Sequence, residues 1–437
     1  MSTSGRNIDV LLYGATGFTG SLVAEYLTAK HHAPGLRITF AGRSGQKLSV
    51  LKANLLEGHG GAWPAAVPEI IEANGEAEID AIVRSAKVVI STAGPFLVAS
   101  APIVKACAAH GTDYVDITGE TPFVRQTIDL HHEQAQASGA LVVNMCGFDS
   151  IPSDLGCWRT VRAVRERFGE GTSSVECFAS MRGSLSGGTL ESGMEMERRP
   201  ELKAMLRNPF LLGGEPPTGT RDCDADVTAA EPLGARFGTV PDAWTAPFMM
   251  ASLNTRVVRR SNCLFSAVPP GVSAPGTPGE GYGAGFRYRE RFLVSNEGEA
   301  QKLAKPIPPV AKREEMRAAG RLPKPGEGPS AKERAKSAFH FVFVGTAAES
   351  GKMLATSVSG GDPGYTETAK MVSEAALGLL LERSKMAVPS GVVTPSFAMA
   401  NVLERRLEAA GIKFGDEGED IQAALIASLG KKPRAKL

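Results

Sequence analysis

Three glycines, Gly14, Gly17 and Gly20, follow the apolar run Ile8-Asp9-Val10-Leu11-Leu12-Tyr13 and lead into a helix-patterned stretch that starts at Ser21. The chemistry open to such a loop is the holding of a phosphate chain. A continuous apolar run reads as a buried parallel strand, and a tight glycine turn after it lets the next helix aim its free N–H groups at a pyrophosphate. Within Gly14-Ala15-Thr16-Gly17-Phe18-Thr19-Gly20, Gly14 allows the turn, Gly17 admits the phosphates, and Gly20 lets helix pack closely on strand. The spacing is G-x-x-G-x-x-G rather than G-x-G-x-x-G, so the strand before it and the helix after it carry the reading.

A second chemical position lies at the end of the next strand, Ala41-Gly42-Arg43-Ser44. A carboxylate there would bind both ribose hydroxyls and repel a 2′-phosphate, and none is present. Arg43 can stack beside adenine and pair with that phosphate, and Ser44 can add a hydrogen bond. NADPH (NADP) is expected over NADH.

The elements that must position these residues alternate over the first 150 residues. Strands are expected at 8–13, 37–41, 65–71, 88–91, 114–117 and 141–145, with helices at 21–29, 47–55, 78–85, 102–110 and 123–138. Alternation of this kind gives an α/β fold, a Rossmann-type doubly wound parallel sheet. The unusual loops, including Thr92-Ala93-Gly94-Pro95-Phe96, Thr118-Gly119-Glu120 and Cys146-Gly147-Phe148-Asp149-Ser150, all follow strands. They should converge on one crevice, which places Thr92, Gly94 and Pro95 with the glycine loop as cofactor-binding residues.

Beyond residue 151 the pattern changes. A strand is expected at 175–182, a helix at 187–208 ended by Pro209, and a hairpin from 338–346 and 353–359. Helices follow at 366–383 and 395–410. Residues 269–285 read as a mobile surface loop, and the basic stretch 302–336 as a solvated connector with one helix. The expected division is a dinucleotide domain over 1–150, a second domain over 151–390 with a loop-rich insertion around 265–336, and C-terminal helices with a basic tail over 391–437.

Composition bounds the rest. A chain of 437 residues exceeds one ordinary core. With 48 Lys and Arg against 47 Asp and Glu, nothing global pulls it to nucleic acid or an anionic membrane. The six cysteines are scattered, which argues against zinc and against a disulfide framework, and no metal is expected. No signal-peptide h-region and no spanning helix is read, so the expectation is an intracellular, soluble protein. The terminal Ala435-Lys436-Leu437 resembles a peroxisomal address, meaningful only in a eukaryote; otherwise the location is cytoplasmic. A homodimer is the assembly allowed for.

Several segments together resemble the saccharopine dehydrogenase-like oxidoreductases. They are Gly14–Gly20, Ala41-Gly42-Arg43, Ala93-Gly94-Pro95-Phe96, residues 111–120, residues 146–156, Ser186-Gly187-Gly188-Thr189 and Gly361-Asp362-Pro363-Gly364-Tyr365. Within that family they are similar to the trans-acting enoyl reductase branch that serves mycobacterial polyketide synthases. Pro325-Gly326-Glu327-Gly328-Pro329 and Gly391-Val392-Val393-Thr394-Pro395 extend the likeness over nearly the whole chain. The resemblance implies a second α/β (α+β) domain whose sheet covers the crevice, and C-terminal helices that return to the first domain. Saccharopine reductases carry a histidine shortly after the aspartate of the segment matching 146–154; here Ser150-Ile151-Pro152-Ser153-Asp154 stands there, which counts against an amino-acid substrate.

The implied reaction is reduction of the C=C of an enoyl or polyketide thioester, a small-molecule acyl substrate carried on a synthase. Hydride goes to the β-carbon, charge collects on the thioester oxygen, and the protein supplies donors to that oxygen, each worth roughly 3 kcal/mol. Tyr114 is the first candidate donor, with Cys146, Ser150 and the backbone near Gly147 behind it. Asp149 can orient a donor or hold the nicotinamide carboxamide. Each has a structural alternative: Tyr114 packing under a helix, Cys146 as a small buried hydrophobe, Asp149 and Asp154 as caps of the helix near Pro152. His131-His132-Glu133 reads as a solvated helix face. Phe248, Met249 and Met250 suit either a cleft wall or the core.

Two other functions compete. An imine or amino-acid reductase of the saccharopine type should direct paired arginines, Arg198-Arg199 or Arg259-Arg260, at substrate carboxylates. A non-catalytic, lipid-associated nucleotide-binding protein would keep the fold without turnover.

Overall fold

The computed structural model describes residues 5–430 except 30–34, 65, 214–228, 234–242, 269–280, 284, 387 and 389. The first six strands are β1 (Ile8–Tyr13), β2 (Ile38–Gly42), β3 (Glu69–Glu72), β4 (Ala86–Ser91), β5 (Asp113–Asp116) and β6 (Leu141–Val143). Then come β7 (Thr172–Arg182), β8 (Glu231–Pro232), β9 (Trp244–Pro247), β10 (Arg287–Val294), β11 (Ala338–Ala347), β12 (Met353–Gly360), β13 (Gly391–Val393) and β14 (Lys413–Gly418).

The first sheet runs β13-β6-β5-β4-β1-β2-β3, with every pairing parallel. Its central strands are apolar on both faces because both faces are covered. Val10, Leu12, Val88, Ile90 and Val115 pack under the helices Phe18–Leu27 and Thr368–Leu381. Leu11, Tyr13, Val89 and Tyr114 pack under Glu76–Arg84, Ala101–His110 and Thr121–Ser138. The fold is therefore the doubly wound α/β sheet expected, and in such sheets ligands bind outside the carboxyl ends of the strands.

The second sheet runs β14-β12-β11-β7-β10-β9-β8 and is antiparallel except for the β7–β10 pair. One face packs on the helix Ile151–Phe168, where Gly156 comes so close to the Phe343 ring that a Cβ would sit 2.3 Å from it. The other face carries Ile421, Ala424 and Leu425 of the helix Ile421–Ser428 against Phe178 and Val342.

Several boundaries differ from the sequence reading. β3 begins at Glu69, and residue 65 lies outside the described residues. β6 stops at Val143 because the Asp116 carboxylate takes the Met145 N–H at 2.8 Å and Met145 turns to φ 64°. Residues 187–208 form a helix Gly187–Arg198 and two short turns, because Pro200 cannot continue the ladder. The stretch 302–336 holds helices at Val310–Ala318 and Ala331–Arg334, and it is not a free connector: Gly187 N–H donates to Glu327 O at 3.0 Å. Most of 269–285, Cys223 and the 431–437 tail lie outside the described residues. The helix Thr368–Leu381, from the 151–390 segment, packs on the first sheet, and β13, at the start of the 391–437 segment, joins its edge beside β6. His132 contributes to that return, its Nδ1 accepting from Val392 N–H at 3.1 Å.

Candidate active site

The glycine loop leaves a backbone cradle. Gly14 has φ +88°, and a Cβ on it would meet Ala93 N and Thr92 Oγ1 at 2.9 Å. A Cβ on Gly20 would lie 2.2 Å from Gly14 O, so only glycine lets this helix start so near the strand. Above Gly17 the space is open apart from Gly14 O at 3.3 Å from a built Cβ. No side chain caps the helix Phe18–Leu27, so its leading N–H groups stay available to an anion. A dinucleotide pyrophosphate fits this cradle. Ala15 is buried, Thr16 exposed, and Phe18 and Thr19 half-buried around it.

Arg43 is exposed at the end of β2 and carries no hydrogen bond or ion pair among the described residues. Ser44 caps its own helix by accepting from Lys47 N–H at 3.3 Å. One strand further, Glu72 Oε2 accepts from Gly45 N–H at 2.9 Å, a carboxylate the sequence reading passed over because it belongs to β3. Thr92 points inward, its hydroxyl donating to Gly14 O at 3.1 Å, so it holds the glycine loop to the β4 loop. Gly94, joined to Pro95 by a cis peptide bond, is exposed.

Two expected donors are out of reach. Tyr114 is fully buried beneath the sheet, and its hydroxyl donates to Asp116 Oδ2 at 3.0 Å. Cys146 is equally buried, with its thiol directed at Val143 O at 3.4 Å; burial pushes its pKa well up, so it is a small core hydrophobe. Asp116 organises this region. Burial lifts its pKa to about 6, while it accepts from Tyr114, Asn144, Thr118 N–H and Met145 N–H. Ser150 is buried against Asn254.

Asp149 stands apart. It lies just past β6 and keeps part of its surface open, and no protein hydrogen bond or ion pair holds its carboxylate among the described residues. The packing around it lifts its pKa to about 6, by burial alone. A Cβ on Gly119, in the loop after β5, would lie 3.2 Å from Asp149 Oδ2 and 3.4 Å from Leu253 Cδ1, which fixes these three groups along one wall. It does not cap the helix Ile151–Phe168, whose N-cap is Ser150 without a side-chain bond. Asp154 does not either: it accepts from Ser261 Oγ at 2.6 Å and from Ser396 N–H at 2.8 Å, and so caps a different helix, Pro395–Ala409.

Three residues were missed in the sequence. Glu120 accepts from Phe96 and Leu97 N–H at 2.9 Å with its two oxygens, setting the Gly94–Pro95 loop. Ser192, on the helix Gly187–Arg198, approaches that loop, its Oγ 3.4 Å from a Cβ built on Gly94 and without a hydrogen-bond partner among the described residues. Tyr365 packs edge-on to Phe18 at 5.0 Å, and its hydroxyl accepts from Ser186 N–H and lies 3.4 Å from Thr189 Oγ1. A glycine motif signalled Tyr365, but its partners are far away in sequence.

The arginine pairs are committed elsewhere. Arg198 pairs with Glu191 and Glu314, and Arg199 with Glu195. Arg259 donates to Pro209 O at 2.7 Å, and Arg260 to Leu212 O and Val392 O. Phe248 is core, packed on Phe292 at 4.7 Å, whereas Met249 is exposed.

A doubly wound sheet whose glycine loop opens a capless helix is the architecture of a dinucleotide-binding protein. The profile described as the saccharopine dehydrogenase NADP-binding domain matches residues 10–143. A Mycobacterium tuberculosis protein assigned to the trans-acting enoyl reductases is 36% identical over 443 residues, spanning 95% of this chain and 98% of its own length. The trans-acting enoyl reductase of Mycobacterium leprae is 34% identical over 439 residues, 95% of this chain and 99% of its own. The chain belongs to the saccharopine dehydrogenase-like family, in the trans-acting enoyl reductase branch, and is an NADP-dependent enzyme. Among solved structures, the apo saccharopine dehydrogenase (L-Glu forming) of Saccharomyces cerevisiae covers 94% of this chain and 100% of its own at 14% identity and a TM-score of 0.47. No helix among the described residues is long and apolar enough to cross a membrane, and none of their His, Cys, Asp and Glu side chains form a cluster fit for a metal ion.

Proposed function

We propose that this chain reduces the C=C of an enoyl or polyketide thioester with NADPH, the thioester being presented by a synthase. The observation that carries the reading is Asp149, a half-buried carboxylate without a protein partner, set where the loops of the first sheet meet Leu253. Full-length similarity to trans-acting enoyl reductases supports it.

The Gly14–Gly20 backbone would hold the cofactor, with Arg43 and Ser44 toward a 2′-phosphate, and when bound it would supply hydride for the β-carbon. Glu120 keeps the Gly94–Pro95 loop in place, and with it the depth of the crevice. Asp149, when protonated, gives a proton to the α-carbon directly or through one water, so a saturated thioester leaves and the carboxylate refills from solvent. The Ser192 and Thr189 hydroxyls are the donors for the thioester oxygen. Arginine pairs engaged elsewhere leave the saccharopine-type alternative without its carboxylate clamp. The relatives named above are mycobacterial and lend the peroxisomal reading of Ala435-Lys436-Leu437 no support, so a cytoplasmic location is the one proposed.

The test is NADPH oxidation by purified protein against enoyl thioesters, free and carrier-bound, beside cyclic imines, with mass spectrometry of the product. A saturated thioester two mass units heavier is expected. Turnover of imines alone would overturn the reading.

A further inference from the structure

Phe18, the first residue of the capless helix on the glycine loop, is held from above by the second domain. Gly328 presses on it so closely that a Cβ there would lie 2.5 Å from its ring. The Arg334 guanidinium lies over the same ring at 5.8 Å. The segment between them is fixed at its other end: Gly187 N–H donates to Glu327 O at 3.0 Å, and a Cβ on Gly187 would collide with Lys324 O at 1.8 Å. Helix Val310–Ala318, which precedes the segment, is joined to helix Gly187–Arg198 by Arg317–Glu191, Arg313–Glu197 and Arg198–Glu314.

Arg334 itself is poorly accounted for. It is half-buried, its one side-chain hydrogen bond goes from Nη1 to Pro329 O at 2.8 Å, and no carboxylate pairs with it among the described residues. The neighbouring Glu333 is turned away, capping the same short helix through Ser330. A cation near a helix N-terminus meets the positive end of the helix dipole and is disfavoured there. The arrangement becomes favourable once an anion lies between the two.

We propose that Arg334, carried on the 324–334 strap, is a counter-cation for the pyrophosphate of the bound dinucleotide. The inference rests on the glycine-loop cofactor site proposed above; the residue is new. A 2′-phosphate contact is disfavoured because Arg43 already stands at the end of β2 where that group belongs.

Equilibrium fluorescence titration of NADPH and of NADH into wild-type protein, Arg334→Met, Arg334→Lys and Gly328→Ala tests this. Arg334→Met should weaken both dinucleotides about tenfold and by similar factors, with a flatter dependence of affinity on salt; Arg334→Lys should recover part of the loss. Gly328→Ala, which lifts the strap without removing charge, should weaken both as well. The melting temperature of the dinucleotide-free Arg334→Met protein should equal or exceed that of wild type, which a merely structural role for the arginine would not give. Unchanged affinity in Arg334→Met beside a wild type that binds overturns this inference alone. Loss of NADPH affinity with NADH untouched overturns the pyrophosphate assignment. A wild type that binds neither dinucleotide overturns the cofactor reading and this inference with it.

Discussion

At the scale of single residues, Asp149 gives the sharpest expectation. Asp149→Asn should lower kcat roughly 100-fold while leaving the Kd for NADPH within a factor of about two, since the side chain is placed for proton transfer rather than for phosphate binding. The wild-type rate should fall as pH rises above about 6, as the acid form is lost, and stopped-flow rates across pH should show that limb vanish in the variant. The sequence puts Tyr114 first and gives Asp149 a supporting part, orienting a donor, holding the nicotinamide carboxamide or capping the helix near Pro152. Tyr114 and Cys146 have chemistry that looks richer on paper, yet β-strand alternation buries Tyr114 under the helices Glu76–Arg84, Ala101–His110 and Thr121–Ser138, and Cys146 faces the core. Which face a side chain takes follows from register, and what it bonds to follows from contacts remote in sequence; neither is written locally.

At the scale of elements, the loop after β4 depends on Glu120. Its carboxylate receives two backbone N–H groups in a buried setting, and charge-assisted bonds of this kind contribute about 1.5–3 kcal/mol each. Glu120→Gln keeps one acceptor and loses the other. Faster amide hydrogen exchange at Phe96 and Leu97 is expected, with a several-fold weaker NADPH affinity; protection equal to wild type would contradict this. The glycine loop and the alternating strands were legible because a buried parallel sheet writes itself as continuous apolar runs with turns between. β10 was not legible, because Arg287-Tyr288-Arg289-Glu290-Arg291 hides its buried members: Glu290 is satisfied by Tyr288 and Asn254, and Arg291 by Glu176 and Glu231. The stretch 302–336 reads as a solvated connector for a similar reason, since Arg313 and Arg317 of its helix Val310–Ala318 are neutralised by acids on another helix.

At the scale of the whole molecule, the buried acids set how stability responds to pH. Burial lifts Asp116, Asp149 and Asp154 to about 6 and Glu290 to about 7, above the ordinary carboxylate range. Between pH 4 and 7 the folded state thus holds more protons at these groups than the unfolded chain does, so their contribution to stability is full below about pH 4 and is lost as pH rises through 6 to 7. Opposing acids act lower down. Burial works to raise Asp9 and Glu382, but Arg37 and Lys87 hold the first well below the usual range, and Arg405, Lys385 and Arg406 bring the second to about 2. Stability from those pairs is present above about pH 4 and lost as pH falls further. Urea unfolding across pH should therefore show a maximum near pH 5 and a decline toward pH 8; a plateau from 5 to 8 would count against the assignment of these shifts.

β13 joins the edge of the first sheet from far along the chain, pairing with β6 through Gly391–Val393. During synthesis the amino-terminal half emerges first, yet its sheet keeps a bare edge until the ribosome has added every residue of β7 to β12. At about 5–20 residues per second that wait lasts on the order of tens of seconds. Throughout it the β6 edge is a template for any passing strand. The late arrival of β13 thus leaves that edge exposed to mispairing for the whole interval.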